Sequence, residues 1–190
     1  MHNFKRDKNN RINQGDIFRK ITHIENWEES GNELKISRIC YPYVVILSQD
    51  CDLREDVSVR SKEINDKALI SVLAAPLYNF DQFLDGEHLQ GLGIDKTSSV
   101  SKNPDKTDHK NLIQNKNPRY HFLEVTSQTT LPKLVIDFKH YFSISIEYLQ
   151  KIRDENFVHP IDFLYREQLS QRFANYLSRI GLPTEHETTI

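Results

Sequence analysis

A chain of 190 residues falls within the usual size of one domain and can bury a core without disulfides or metals. With 37% apolar and 27% charged residues it is too apolar and aromatic for a disordered chain, and no stretch approaches the ~20 apolar residues of a spanning helix. A net charge of -2 rules out the overall basic excess that draws proteins to phosphate backbones, so any nucleic-acid contact would be a local patch.

Residues 1–13 read as a flexible polar arm carrying Lys5, Arg6, Lys8 and Arg11, with no apolar run behind it. Neither export nor membrane insertion is expected, and the location reads as cytoplasmic. One domain spans 14–183 and a short tail covers 184–190. Gly15 and Asp16 punctuate the entry to a first strand running toward Ile24, and Ser30, Gly31 and Asn32 form a turn. Tyr43, Val44, Val45, Ile46 and Leu47, entered through Pro42, are apolar on both faces and imply a buried strand.

A second apolar run, residues 68–75, ends at Pro76 and is expected to pair with the first across a charged loop, 54–67. Residues 79–90 suit a short helix. From 91 to 117 the apolar pattern nearly vanishes, apart from Leu112 and Ile113, which predicts a long loop insertion. Strand character returns at 119–125 and 133–138, with Leu131 and Pro132 as turn material. Residues 161–180 predict an amphipathic helix, started by Pro160 and stopped by Gly181 and Pro183. Its stripe of Leu169, Phe173, Tyr176, Leu177 and Ile180 would cover an open side of the sheet or dock on a neighbour. The fold class is therefore β-rich α+β.

Chemistry concentrates where the apolar strand ends, at Ser48, Gln49, Asp50, Cys51 and Asp52. If the extended conformation persists, Ser48, Asp50 and Asp52 share one face, with carboxylates ~7 Å apart that suit a cation or an acid–base pair. A local turn is the other reading. Cys40 and Cys51 show no metal or redox spacing and read as free thiols. Arg119 and His121 would share a strand face and suit phosphate binding and proton transfer, or an edge salt bridge. Asp137, Lys139 and His140 form a third set. Phosphate-loop, dinucleotide-fingerprint, zinc-protease and nucleophile-elbow motifs are missing, and no cofactor or metal is expected.

Gly15, Asp16 and Ile17, followed by Pro42, the apolar strand, Ser48 and the second apolar strand, resemble the opening of the PemK/MazF-like toxin family over residues 14–76. The resemblance implies a small SH3-like barrel, and RNA cleavage where the active site is retained. That family places an Arg directly before the Pro; here Tyr41 precedes Pro42 and the nearest Arg is Arg38. Ala74 and Ala75 occupy the place of its Thr. The chain also resembles a group of uncharacterised bacterial proteins with a Ser-Gln-x-Cys-Asp-Leu block, here residues 48–53, and an Arg-x-Gly-Leu-Pro block, here 179–183.

Three functions follow as expectations. The first is a non-catalytic or regulatory binding module in a bacterial toxin–antitoxin or phage-defence setting, contacting a nucleic acid or a partner protein through Ser48, Gln49, Cys51, Arg119 and Arg38. The second is a divergent nuclease in which Asp50, Asp52 and His121 are catalytic and Arg119 or Arg38 holds the phosphate. The third is a structural subunit that docks, or oligomerises, through its C-terminal helix.

Overall fold

A long hairpin organises the sheet. In the computed structural model, which describes residues 11–60, 66–96, 100–124 and 131–179, β1 (Asp16–Ser30) and β2 (Glu33–Ile46) pair antiparallel along their whole length around a turn at Gly31 and Asn32. Both strands outrun their predicted bounds, because the β-branched and aromatic residues that favour strand continue through mostly polar positions on either side of the turn. Gly31 supplies the positive φ, +61°, that the tight turn demands.

The sheet then grows outward on both sides. β3 (Ser71–Asn79) pairs β2, and β7 (Phe157–Pro160) pairs β1. On its far edge β3 meets β5 (Leu134–Asp137) at one end and β6 (Phe142–Ser145) at the other. The 3-10 turn Phe138–His140 loops out between β5 and β6. Pro76, expected to end the second strand, instead lies within it, level with this break. A residue with no N–H fits where the neighbouring ladder is interrupted. β4 (Tyr120–Leu123) closes the order β4-β5-β3-β2-β1-β7, and its two end strands do not pair. The described strands thus form an open antiparallel sheet of a mixed α+β protein, where a closed barrel was expected.

Side chains alternate across the sheet and define two cores. On one face Ile17, Val45, Leu77 and Ile136 pack with Leu169 and Phe173 of α5 (Phe163–Leu177). On the other, Phe18, Val44, Ile46 and Ala74 meet Leu53 of α1 (Asp50–Arg60) and Ile146 and Leu149 of α4 (Ile146–Asn156), while Tyr78, Val135 and Phe122 meet α2 (Phe80–Asp85) and α3 (Thr107–Ile113). Leu169 is 0% exposed, and burying such a side chain contributes about 2–3 kcal/mol. Covering the open sheet face is therefore what most of the predicted stripe does; Leu177 is left half exposed.

Several expectations need correction. The charged segment 54–67 is not a loop at its start, because α1 runs to Arg60, with Leu53, Asp56 and Val59 buried at helical spacing; residues 61–65 lie outside those described. The segment 91–117 contains α3, and Val100, His109 and Leu112 are buried in a core cluster or beside it; residues 97–99 lie outside the description. Ile70, expected inside, is 90% exposed, since β3 begins after it. The C-terminal helix starts at Phe163 rather than at Ile161, because Pro160 ends β7 and Asp162 caps α5 by accepting from the Leu164 amide at 3.2 Å. In the predicted arm, Ile12 is 2% exposed and packs in the core. The rest of that arm (1–10), Val125, Ile180, the stop signal at Gly181 and Pro183, and the tail lie outside the described residues.

Candidate functional site

The polar pentapeptide does not stay extended. Chain direction changes at Ser48, whose hydroxyl accepts from the Leu73 amide at 2.8 Å and so ties the end of β2 to the edge of β3. The Gln49 carbonyl then accepts from the Leu53 amide at 3.2 Å and opens α1. Asp50 and Asp52 fall in its first turn, where the unpaired amides and the helix dipole favour carboxylates. Two residues apart on a helix, they point to different sides, so the predicted shared face of Ser48, Asp50 and Asp52 does not form.

Asp50 is held by two arginines, Arg11 at 3.0 Å and Arg54 at 3.2 Å, and keeps 28% of its side chain exposed. Cys51 is exposed, with its sulfur 3.5 Å from Gln49 Oε1 and from Asp52 Oδ1. Beside them lies an open groove of about 570 Å³, lined on one wall by Gln49, Asp50 and Cys51, on the other by Glu167, Ser170, Gln171 and Ala174 of α5, and at its base by Gln14. Gln14 donates its side-chain amide to the Leu47 carbonyl at 3.1 Å. Gly15, at φ +79°, lets Arg166 of α5 approach; a Cβ there would sit 2.5 Å from Arg166 Cγ. The predicted pentapeptide therefore does border a concavity, through its middle three residues.

The other predicted residues go elsewhere. His121 pairs in register with Ile136, which pairs with Leu77, which pairs with Tyr43, placing it three strand spacings, roughly 14 Å, from β2. Neither carboxylate hydrogen-bonds to the His121 Nδ1, and Asp50 is taken up by Arg11 and Arg54. The imidazole is 2% exposed against Phe138; its Nδ1 has no hydrogen-bond partner, and burial together with the Arg172 charge lowers its pKa to about 4. Arg38 is exposed on the projecting part of the hairpin, opposite Ile24.

Arg119 does not share a face with His121, because β4 begins one residue later. Its guanidinium instead grips Asp137 through two bonds, at 2.9 and 2.6 Å. This is the salt-bridge reading, and it merges the second and third predicted sets. His140 Nδ1 stands 2.9 Å from the Tyr78 hydroxyl and 3.6 Å from Asp137 Oδ2, while Lys139 contributes only its backbone amide, at 3.0 Å. His88 stacks edge-on to Tyr78 at 4.8 Å, and burial lowers its pKa to about 4. Burial likewise lowers His140 and raises the Tyr78 phenol. Tyr78 and His88 were not singled out from sequence; Tyr78 ends an apolar run, His88 lies in a mixed polar segment, and only the fold brings them to Asp137. Asp56 was missed too. It is fully buried and accepts from Arg60 at 2.8 Å and from the Leu69 amide at 2.7 Å.

No group of three metal-ligating side chains comes together among the described residues, and none of their helices is long and apolar enough to cross a membrane. No protein-family model matches the chain, and no curated protein is similar to it.

Proposed function

We propose that the chain is a non-catalytic binding module whose groove between α1 and α5 takes a polypeptide segment of a partner protein. The observation that carries this is the lining: amides from Gln14, Gln49 and Gln171, the Ser170 hydroxyl and two carboxylates, with no lysine or arginine among them. Such a wall satisfies the N–H and C=O groups of a peptide, and the two arginines at its rim, Arg11 and Arg54, are already answered by Asp50, which leaves a phosphate backbone little counter-charge. On the resemblance to PemK/MazF-like proteins, the setting would be bacterial, cytoplasmic, and of the toxin–antitoxin or phage-defence kind.

The test is selection of a peptide-display library against the wild-type chain and against Ala174→Trp, which fills the groove from the exposed side of α5 without touching the core. Peptides that bind the wild type and lose about tenfold or more in affinity for the variant support the reading. Failure to enrich any peptide, or enrichment indifferent to the tryptophan, defeats it.

A second reading, the divergent nuclease, draws support from the other cluster. Two histidines, a tyrosine and an arginine around Asp137 are the groups that phosphodiester cleavage by proton transfer calls on. Single-stranded RNA cut by the wild type and spared by His140→Ala would establish it; RNA left intact by both would remove it.

A further inference from the structure

The hairpin outruns the sheet that holds it. β7 pairs β1 only from Asp16 to Phe18, and β3 pairs β2 only from Tyr43 to Ile46, so from Ile24 to Arg38 the two strands have only each other. In this ribbon Ile24 stands opposite Arg38, Trp27 opposite Ile36 and Glu29 opposite Leu34. Leu34, Ile36 and Arg38 alternate along β2, so all six side chains share one face. That face presents Trp27 at 63% exposure, Leu34 at 59%, Ile24 at 54% and Ile36 at 38%. The opposite face carries the pairs Asn26 with Ser37, Glu28 with Lys35 and Ser30 with Glu33. An apolar patch backed by a wholly polar surface marks an interaction site rather than a random exposure.

Charge decides what covers it. Arg38 lies at the sheet end of the apolar face and Glu29 at the tip end, with Trp27 and Ile36 midway, and neither makes an ion pair among the described residues. A copy turned by half a revolution about an axis lying along the Trp27–Ile36 pair sets Trp27 on Trp27 and Ile36 on Ile36, and brings each Arg38 over the other copy's Leu34, one strand spacing of roughly 5 Å from that copy's Glu29, a gap the two long side chains can span, twice. We propose that the ribbon is a homodimerisation element, packed face to face and antiparallel on the ribbon of a second copy. This interface is distinct from the α1–α5 groove and does not depend on what fills it.

Sedimentation velocity of the full chain at low salt, from about 1 to about 100 µM, should show a monomer–dimer equilibrium. Ile36→Lys should abolish the dimer. Arg38→Glu and Glu29→Arg should each weaken it by about tenfold or more, and the double exchange should recover most of that loss. All three positions face solvent, so an unchanged far-ultraviolet dichroism spectrum and melting temperature will certify each variant as folded. A wild-type chain that stays monomeric throughout overturns the proposal and leaves the face to a different protein. A dimer indifferent to Ile36→Lys, or one that the charge exchange does not restore, overturns it as well.

Discussion

Asp50 and Asp137 are both aspartates answered by arginine, one opening α1 just after β2 and the other ending β5, and they are built for different purposes. Asp50 sits at the mouth of the groove with 28% of its side chain in contact with solvent; one Arg11 nitrogen is shared between its two oxygens, at 3.3 and 3.0 Å, and Arg54 adds one contact at 3.2 Å. Asp137 is 1% exposed, is gripped in fork geometry by Arg119, and accepts from the Lys139 backbone amide, with the His140 ring 3.6 Å away. A carboxylate of the first kind can exchange its partners for a ligand at little cost. One of the second kind cannot be disturbed without leaving a buried charge unpaired.

Removing the arginine is the harshest way to break that contrast. Arg119→Ala would leave the Asp137 carboxylate buried and without its main partner, and should cost about 3–5 kcal/mol in urea unfolding. Asp137→Ala should cost less, because the Arg119 side chain is 35% exposed and can turn to water. Equal losses in the two variants would mean that the pair acts through packing rather than charge.

The contrast was only partly visible beforehand. The apolar strand 43–47, the turn at Gly31 and the short helix after Asn79 are written in local composition, and each appears in the structure. The groove was half legible: the polar block after Leu47 marked one wall, but the opposing Glu167, Ser170 and Gln171 are simply the polar face of a helix until the fold lays that helix beside α1. Of the two conformations open for 48–52, extension and a local turn, neither is adopted as such, because a helix begins at Asp50. Asp, like Ser, takes readily to helix N-termini, and that preference prevailed over continued alternation. The Asp137 cluster was hidden for another reason. Its members come from β3, β5, the residue before β4 and the segments after α2 and β5, and no periodicity connects them.

Asp16 extends the comparison to a buried carboxylate at which burial outweighs the pull of the nearby Arg153 and Arg166 charges. It is 1% exposed, accepts from the Asn13 amide at 2.9 Å through one oxygen, has no partner on the other, and burial raises its pKa to about 6. The folded chain thus keeps this proton to a higher pH than the unfolded chain, whose ordinary value is 3.8. Stability should therefore fall as pH rises from about 4 to about 6, by about 2–3 kcal/mol from this residue, and stay lower above that. Asp16→Asn should remove that part of the slope, and the difference between the two unfolding profiles isolates it.

His121 runs the other way. Its imidazole is held neutral by burial, so the unfolded chain takes up a proton from about pH 6.5 downward while the folded chain waits until about 4. Between pH 6.5 and 5 the wild type should lose about 2 kcal/mol that His121→Leu retains. A wild type and variant with parallel profiles would show that His121 takes its proton while folded, against the burial that separates it from the groove.

The smallest effect belongs to Asp50, and its smallness is the point. Asp50→Ala breaks contacts to Arg11 and to the 73% exposed Arg54, and removes a carboxylate from the start of α1. Exposed pairs and helix-end charges each contribute only a fraction of a kcal/mol, so the loss should stay below about 1 kcal/mol and shrink further in salt. Peptide affinity at the groove should nonetheless fall severalfold, because a group at the mouth of a binding surface contributes to the partner what it does not contribute to the fold. A large stability loss with unchanged binding would reverse the assignment, making Asp50 a strut for Arg11 and moving the recognition surface away from α1.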